Sequence, residues 1–184
     1  LISRLAIHKT QSEDPIEVIR WLDRNLIRIS AKFGEYKKDD IHSFRLPKEF
    51  ALFPQFMYHL RRSNFVQTFA ASPDESAFFR GMLMRENTTN CMVMIQPSLL
   101  MYSFDSPEPT AVVLDIASMK NNVILLLDTY FDVVVWQGEM IKKWEKAGYQ
   151  DQPEYENFKY LLQAPMDDSK VIKIPLKCNI IAYY

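Results

Sequence analysis

The sequence predicts an α+β protein, with an all-helical first half followed by a half that mixes strands and helices. Three observations carry that prediction. Helix-start signals with apolar positions at helical spacing recur up to residue 84. The pattern changes around Asn87–Asn90 to short apolar runs separated by prolines. The stretch Val123–Gly138, VILLLDTYFDVVVWQG, then holds two strand-length apolar runs joined by Asp128, Thr129 and Tyr130. Neither run alternates cleanly, so both are expected as inner strands of a sheet covered by helices. A membrane span is a poor alternative, because the stretch is too short and carries Asp128 and Asp132.

Taken in order, Ser3–Lys9 has the pattern of a helix end, and Thr10–Asp14 that of a turn. Asp14 as N-cap, Pro15 at the first helical position and Glu17 in the first turn open a long helix. Its inward positions are Val18, Ile19, Leu22, Leu26, Ile29 and Phe33, and Gly34 stops it. Arg20, Arg24 and Arg28 form one outer stripe, which a solvated helix face explains. Residues Glu35–Arg45 are charged and have a loop composition. Pro47 and Glu49 lead into the helical run Phe53–Arg62, FPQFMYHLRR. The short segment Phe65–Phe69 precedes Ser72-Pro73-Asp74-Glu75, a capping box that starts a helix running to about Met84.

In the second half, Met92–Ile95, Leu99–Phe104 and Val112–Leu114 are expected as short strands, with Pro107 and Pro109 marking a turn. Ile116–Asn122 suits a small helix or turn. After the hairpin, Glu139–Ala147 is a helix with Ile141 and Trp144 inward and Gly148 as its stop. Pro153 opens another, which Pro165 ends, and Asp167-Asp168 fits a solvated helix start. The domain boundary falls at 88/89.

Composition narrows function mostly by exclusion. The formal net charge of −1 in 184 residues gives no footprint for nucleic acid. The sign is uneven, with 14 Lys/Arg against 11 Asp/Glu in residues 1–88 and 8 against 12 in residues 89–184. Cys91 and Cys178 are too few for a disulfide scaffold, and reduced thiols are expected. His8, His42 and His59 have no second ligand at metal spacing, so no metal site is expected. There is no glycine-rich phosphate loop and no nucleophile elbow. Turn chemistry explains Asp128 and Asp132 better than paired-carboxylate catalysis does. No catalytic residue is assigned. The chain begins at Leu1 rather than Met, which suits a piece of a longer protein.

Several runs together carry a family resemblance: Trp21–Arg28 (WLDRNLIR), Lys32–Asp40 (KFGEYKKDD), Phe53–Ser63 (FPQFMYHLRRS), Ser72–Ser76 (SPDES), Met94–Pro97 (MIQP), Ala147–Phe158 (AGYQDQPEYENF) and Leu161–Pro165 (LLQAP). In this order they resemble the C-terminal part of the GTPase-activating subunit of the COPII inner coat (Sec twenty-three). The resemblance spans about Ser3 to Asp168. It implies a helical domain over residues 1–88 and a gelsolin-like domain over residues 89–184.

It also implies a cytoplasmic protein, peripheral at endoplasmic reticulum exit sites, in vesicle transport to the Golgi. The implied partners are a Sar-type small GTPase, a cargo-binding inner-coat subunit, and an outer-coat subunit bearing proline-rich segments. The family's zinc site lies in a portion preceding Leu1, so no cofactor is expected here. In the family an inserted arginine stabilises the transferring phosphoryl group, a device worth about 10³–10⁵ in rate. It lies in a run resembling Gly-Gly-Ser-Gln-Ala-Arg-Phe-Leu, which is missing after Asp168, and Arg85 is the last arginine of the chain. Lys170, Lys173 and Lys177 are no planar substitutes.

The chain alone is therefore not expected to accelerate GTP hydrolysis. Either Ile172–Ile174 or Asn179–Tyr183 is expected to supply the last strand of the sheet. The candidate partner-binding residues are Trp136, Tyr149 and Tyr155, for proline-rich segments, with Arg61 and Arg62 beside them as basic candidates. A gelsolin-type actin- or calcium-binding module is the alternative, with Asp128, Asp132 and Glu139 as a loose set of oxygen ligands.

Overall fold

A computed structural model of the chain describes residues 1–67, 72–173 and 179–183. The expected segment at Phe65–Phe69 falls partly outside these residues, and Ile174, Lys177 and Cys178 fall outside them altogether. The chain divides into two compact units, Leu1–Cys91 and Met92–Tyr184.

The first unit is helical: α1 (Ile2–Lys9), α2 (Pro15–Phe33), α3 (Phe53–Arg62) and α4 (Pro73–Arg85). Each start signal acts as its chemistry requires. Asp14 Oδ1 accepts the Ile16 N–H at 2.8 Å. At α4 the Ser72 hydroxyl accepts the Glu75 N–H, and the Glu75 carboxylate accepts the Ser72 N–H at 3.0 Å, so two orphan donors are satisfied reciprocally. The helices bury Ala6, Ile7, Val18, Leu22, Met57, Leu60 and Leu83. Arg4 donates to the Glu86 carbonyl at 2.7 Å, tying α1 to the end of α4. The Arg20, Arg24 and Arg28 stripe is exposed. One element departs from the loop expected at Glu35–Arg45, where β1 (Glu35–Lys37) and β2 (Asp40–Arg45) pair antiparallel. Asp40 accepts the His42 N–H, and the Ser43 hydroxyl accepts the Lys37 N–H, so side chains set a turn that composition alone does not announce.

A helix, α5 (Thr88–Ile95), stands where Met92–Ile95 is expected as a strand. The Asn87 side chain accepts the Asn90 N–H at 2.9 Å and so caps it. Cys91, Met94 and Ile95 are the buried positions, which is helical and not strand spacing.

The second unit is a five-stranded sheet in the order β4-β3-β5-β6-β7: β3 (Ser98–Ser103), β4 (Ser106–Ala111), β5 (Ile124–Asp128), β6 (Asp132–Gln137) and β7 (Asn179–Tyr183). The inner hairpin is in perfect register, with Ile124 opposite Gln137 and Asp128 opposite Val133. Its turn is a side-chain construction. Asp128 accepts the Tyr130 N–H at 2.8 Å, Thr129 exchanges hydrogen bonds with the Asp132 backbone, and Tyr130 sits at φ 72°. Ile124, Leu125 and Leu126 are buried in succession, as an inner strand requires.

The sheet's inner face packs Tyr102, Ile124, Leu126, Val133 and Val135 against Ile141 of α6 (Glu139–Lys146) and against Phe158 and Leu161 of α7 (Glu156–Lys173). Gly138 begins α6 so close to the chain that a Cβ there would meet the Asn121 carbonyl oxygen at 2.3 Å.

Several expectations in this unit are corrected. Pro107 and Pro109 lie within edge strand β4 rather than in a turn, and Val112–Leu114, expected as a strand, follows β4 without being one. An edge strand tolerates residues without N–H donors and is protected by them. Pro165 does not end a helix but lies buried inside α7, which continues to Lys173. The turns beyond it are held by Tyr102, whose hydroxyl donates to Asp168 at 2.7 Å, and by the wholly buried Ser169. Asp167 and Asp168 are accordingly within this helix and do not start one. Ile172 belongs to the same helix, so the last strand comes from Asn179–Tyr183, parallel to β6 with Val133 opposite Ile180.

Candidate functional site

Gly148 and Pro153 shape the site in the second unit. Gly148 takes φ 77°, a left-handed conformation that costs a glycine nothing, and ends α6. Two short 3-10 turns follow, Tyr149–Asp151 and Pro153–Tyr155, before α7 begins at Glu156. The helix expected from Pro153 thus starts one turn later. The two turns bring Tyr149 and Tyr155 together edge to face, with ring centroids 5.0 Å apart.

Beside this pair, Phe104 leaves the end of β3, Trp144 projects from α6 and Phe158 from α7. Phe104 stacks on Phe158 at 6.2 Å, and Trp144 meets Phe104 at 5.8 Å and Phe158 at 6.0 Å. These rings, with Glu154 and Asn157, line an open cleft of about 460 Å³. Phe158 is buried and forms the floor, whereas Phe104 and Tyr155 are 48% and 42% exposed and form the walls. Glu154 is the one charged side chain lining the cleft.

The predicted residues do not all meet here. Tyr149 and Tyr155 line the cleft, while Trp136 lies half-buried on β6, opposite Leu125, and is not part of it. Arg61 and Arg62 sit at the end of α3 in the first unit, at a recess with Ile19, Tyr58 and Gln67. Both are engaged there. Arg61 faces Asp23 at 3.4 Å, and Arg62 donates to the Tyr58 hydroxyl at 3.1 Å, its guanidinium 5.2 Å from that ring's centre. The cations also complement the carboxyl end of α3. Phe104, Trp144 and Phe158 are cleft aromatics that the sequence does not single out as partner-binding. Trp144 carries the spacing of a core residue, and no local signal brings Phe104 to it.

Other chemistry is sparse. Tyr102 is held above its ordinary titration range by burial and by Asp168, so it stays a neutral donor. Among the described residues, no three His, Cys, Asp or Glu side chains converge as metal ligands do. Asp128 is committed to the hairpin turn. No described helix is long and apolar enough to cross a membrane.

Comparison with known proteins places these features. Residues 105–176 match the gelsolin repeat. The solved structure of the human COPII-coat protein Sec24c has the same fold over 74% of this chain, with a TM-score of 0.64 and 22% sequence identity. The chain spans 19% of that protein's length in the structure. Residues 1–93 match the Sec23/Sec24 helical domain. With that domain over half its length and a gelsolin-like sheet unit after it, the chain belongs to the Sec23/Sec24 family.

Proposed function

We propose that the chain is a protein-interaction module of the COPII vesicle coat, acting in transport from the endoplasmic reticulum to the Golgi, and that its aromatic cleft grips proline-rich segments of an outer-coat subunit. The cleft of Phe104, Trp144, Tyr149, Tyr155 and Phe158 carries this reading. A proline-rich segment is already extended as a polyproline helix, with about 3.1 Å per residue, and loses little entropy on docking. Its pyrrolidine rings pack on aromatic faces held at angles to one another, which is what Tyr149 against Tyr155 and Trp144 against Phe158 present. Within the same reading, a Sar-type GTPase and a cargo-binding inner-coat subunit are further partners at the cytoplasmic face of the membrane. With no arginine after Arg85, phosphoryl-transfer catalysis is not assigned to the gelsolin-like residues.

Calorimetric titration of the 184-residue chain with a triple-proline peptide tests the cleft. Tyr155→Ala is expected to weaken binding about tenfold or more without a change in melting temperature. Unchanged affinity in that variant would overturn the assignment.

A further inference from the structure

Helix α4 is apolar on its outer face as well as its inner one. Ser76 and Leu83 are buried and define the inner face. Asp74, Phe78, Gly81 and Arg85 follow one another at intervals of four, three and four residues. With about 100° of rotation per residue, they form one stripe on the side opposite Ser76 and Leu83. All four are exposed, and so are Ala77 and Met84, which flank the stripe on one side. Phe78 meets the Phe79 ring edge-on at 5.6 Å, yet remains 55% exposed.

Nothing within α4 calls for a glycine at position 81. A Cβ added there would meet nothing within 4 Å, and Gly148 is the glycine that takes a positive φ. Glycine is, after proline, the least favourable residue in a helix interior. The missing side chain leaves a dent in an exposed apolar surface, beside the Phe78 ring.

The stripe is complementary to itself. If two α4 helices lie antiparallel about a two-fold axis between Phe79 and Arg80, Phe78 of each copy stands opposite Gly81 of the other. Asp74 of each then stands opposite Arg85 of the other, and Met84 lies beside Ala77 of the other on the flank. Large meets small twice, at the alternating spacing that packs helices knobs into holes. Neither Asp74 nor Arg85 is in an ion pair among the described residues, so the symmetric contact would add two. Antiparallel helices also set their dipoles favourably.

We infer that α4 is a homotypic docking helix, on which a second copy of this chain lies antiparallel with Phe78 of each copy seated over Gly81 of the other. A 13-residue helix offers about 20 Å of contact, so the interface is small and its association transient. Half-dimerisation is expected on the order of 100 µM.

Sedimentation equilibrium of the 184-residue chain, loaded from about 5 to about 500 µM, brackets that affinity. Gly81→Leu fills the seat and should weaken self-association about tenfold or more. Its melting temperature should hold or rise, because leucine favours the helix; a purely internal role for the glycine would lower it. Asp74→Arg and Arg85→Asp each set like charges opposite one another and should each abolish the dimer. An equimolar mixture of those two variants restores both ion pairs and should associate as the wild type does.

A chain monomeric at every concentration would overturn the inference, and the face would then serve a different partner. Self-association at full strength in Gly81→Leu would overturn it as well, because the copies would meet elsewhere. So would a mixture of the two charge variants that stays monomeric.

Discussion

The recess at the end of α3 and the cleft between α6 and α7 use the same kinds of side chain to opposite ends. In the recess, each charged or aromatic group has a partner within its own unit: Arg61 with Asp23, and Arg62 with Tyr58. In the cleft, Tyr149 meets Tyr155 and Trp144 meets Phe158 at steep angles, and the rings leave an open volume between them that Glu154 also lines. A side chain whose interactions are spent internally offers little to an incoming molecule, because binding must first break what exists. The cleft's exposed rings have apolar faces still in water, and their burial is the free energy that docking can gain. Composition alone ranked the arginines and tyrosines together; geometry separates them.

That contrast can be broken or sharpened by substitution. The largest effect is expected at the cleft floor. Phe158 belongs at once to the sheet core and to the cleft, so Phe158→Ala should cost about 3–5 kcal/mol in chemical denaturation and abolish peptide binding with it. If stability fell while peptide affinity survived, the cleft would not be the docking surface. A smaller loss is expected at Tyr102, which ties β3 to α7 beyond Pro165. Tyr102→Phe should cost about 1 kcal/mol, measured at neutral pH.

The sign with pH follows from the direction of the shift. The folded protein holds Tyr102 above its ordinary value, so its contribution is complete below about pH 10 and declines as alkali ionises it. The wild type should therefore lose stability above pH 10 more steeply than Tyr102→Phe. The smallest effect is expected in the recess. Arg61→Gln with Arg62→Gln should change stability by under about 1 kcal/mol and leave peptide affinity as it was. A marked loss of peptide binding would erase the distinction between the two sites.

Much of the fold was legible because local chemistry declares helix starts and hairpin turns. Asp14-Pro15, the Ser72 and Glu75 pair and Asp128-Thr129 all do in the structure what their side chains can do alone. The failures share a cause in tertiary context. Pro165 reads as a stop because it lacks an N–H, yet burial and the Tyr102–Asp168 bond carry α7 past it. Pro107 and Pro109 read locally as a turn, although an edge strand has donors to spare. Met92–Ile95 looked strand-like until the Asn87 cap is seen.

The site was half legible. Tyr149 and Tyr155 come from one short run and meet through local turns. Phe104 joins them only through the path of β3, and Trp136 faces elsewhere.

The parallel pairing of β6 with β7 also has a consequence in time. Asp132 pairs with Asn179, which the ribosome adds 47 residues later. Elongation at about 5–20 residues per second makes that an interval of roughly 2–10 s. Throughout it, β6, with Val133, Val134 and Val135 in succession, is the uncovered edge of a nascent meander whose other strands are already made. A valine-rich strand is thus left unguarded during synthesis, and that window is where a chaperone or an accidental neighbour would meet it.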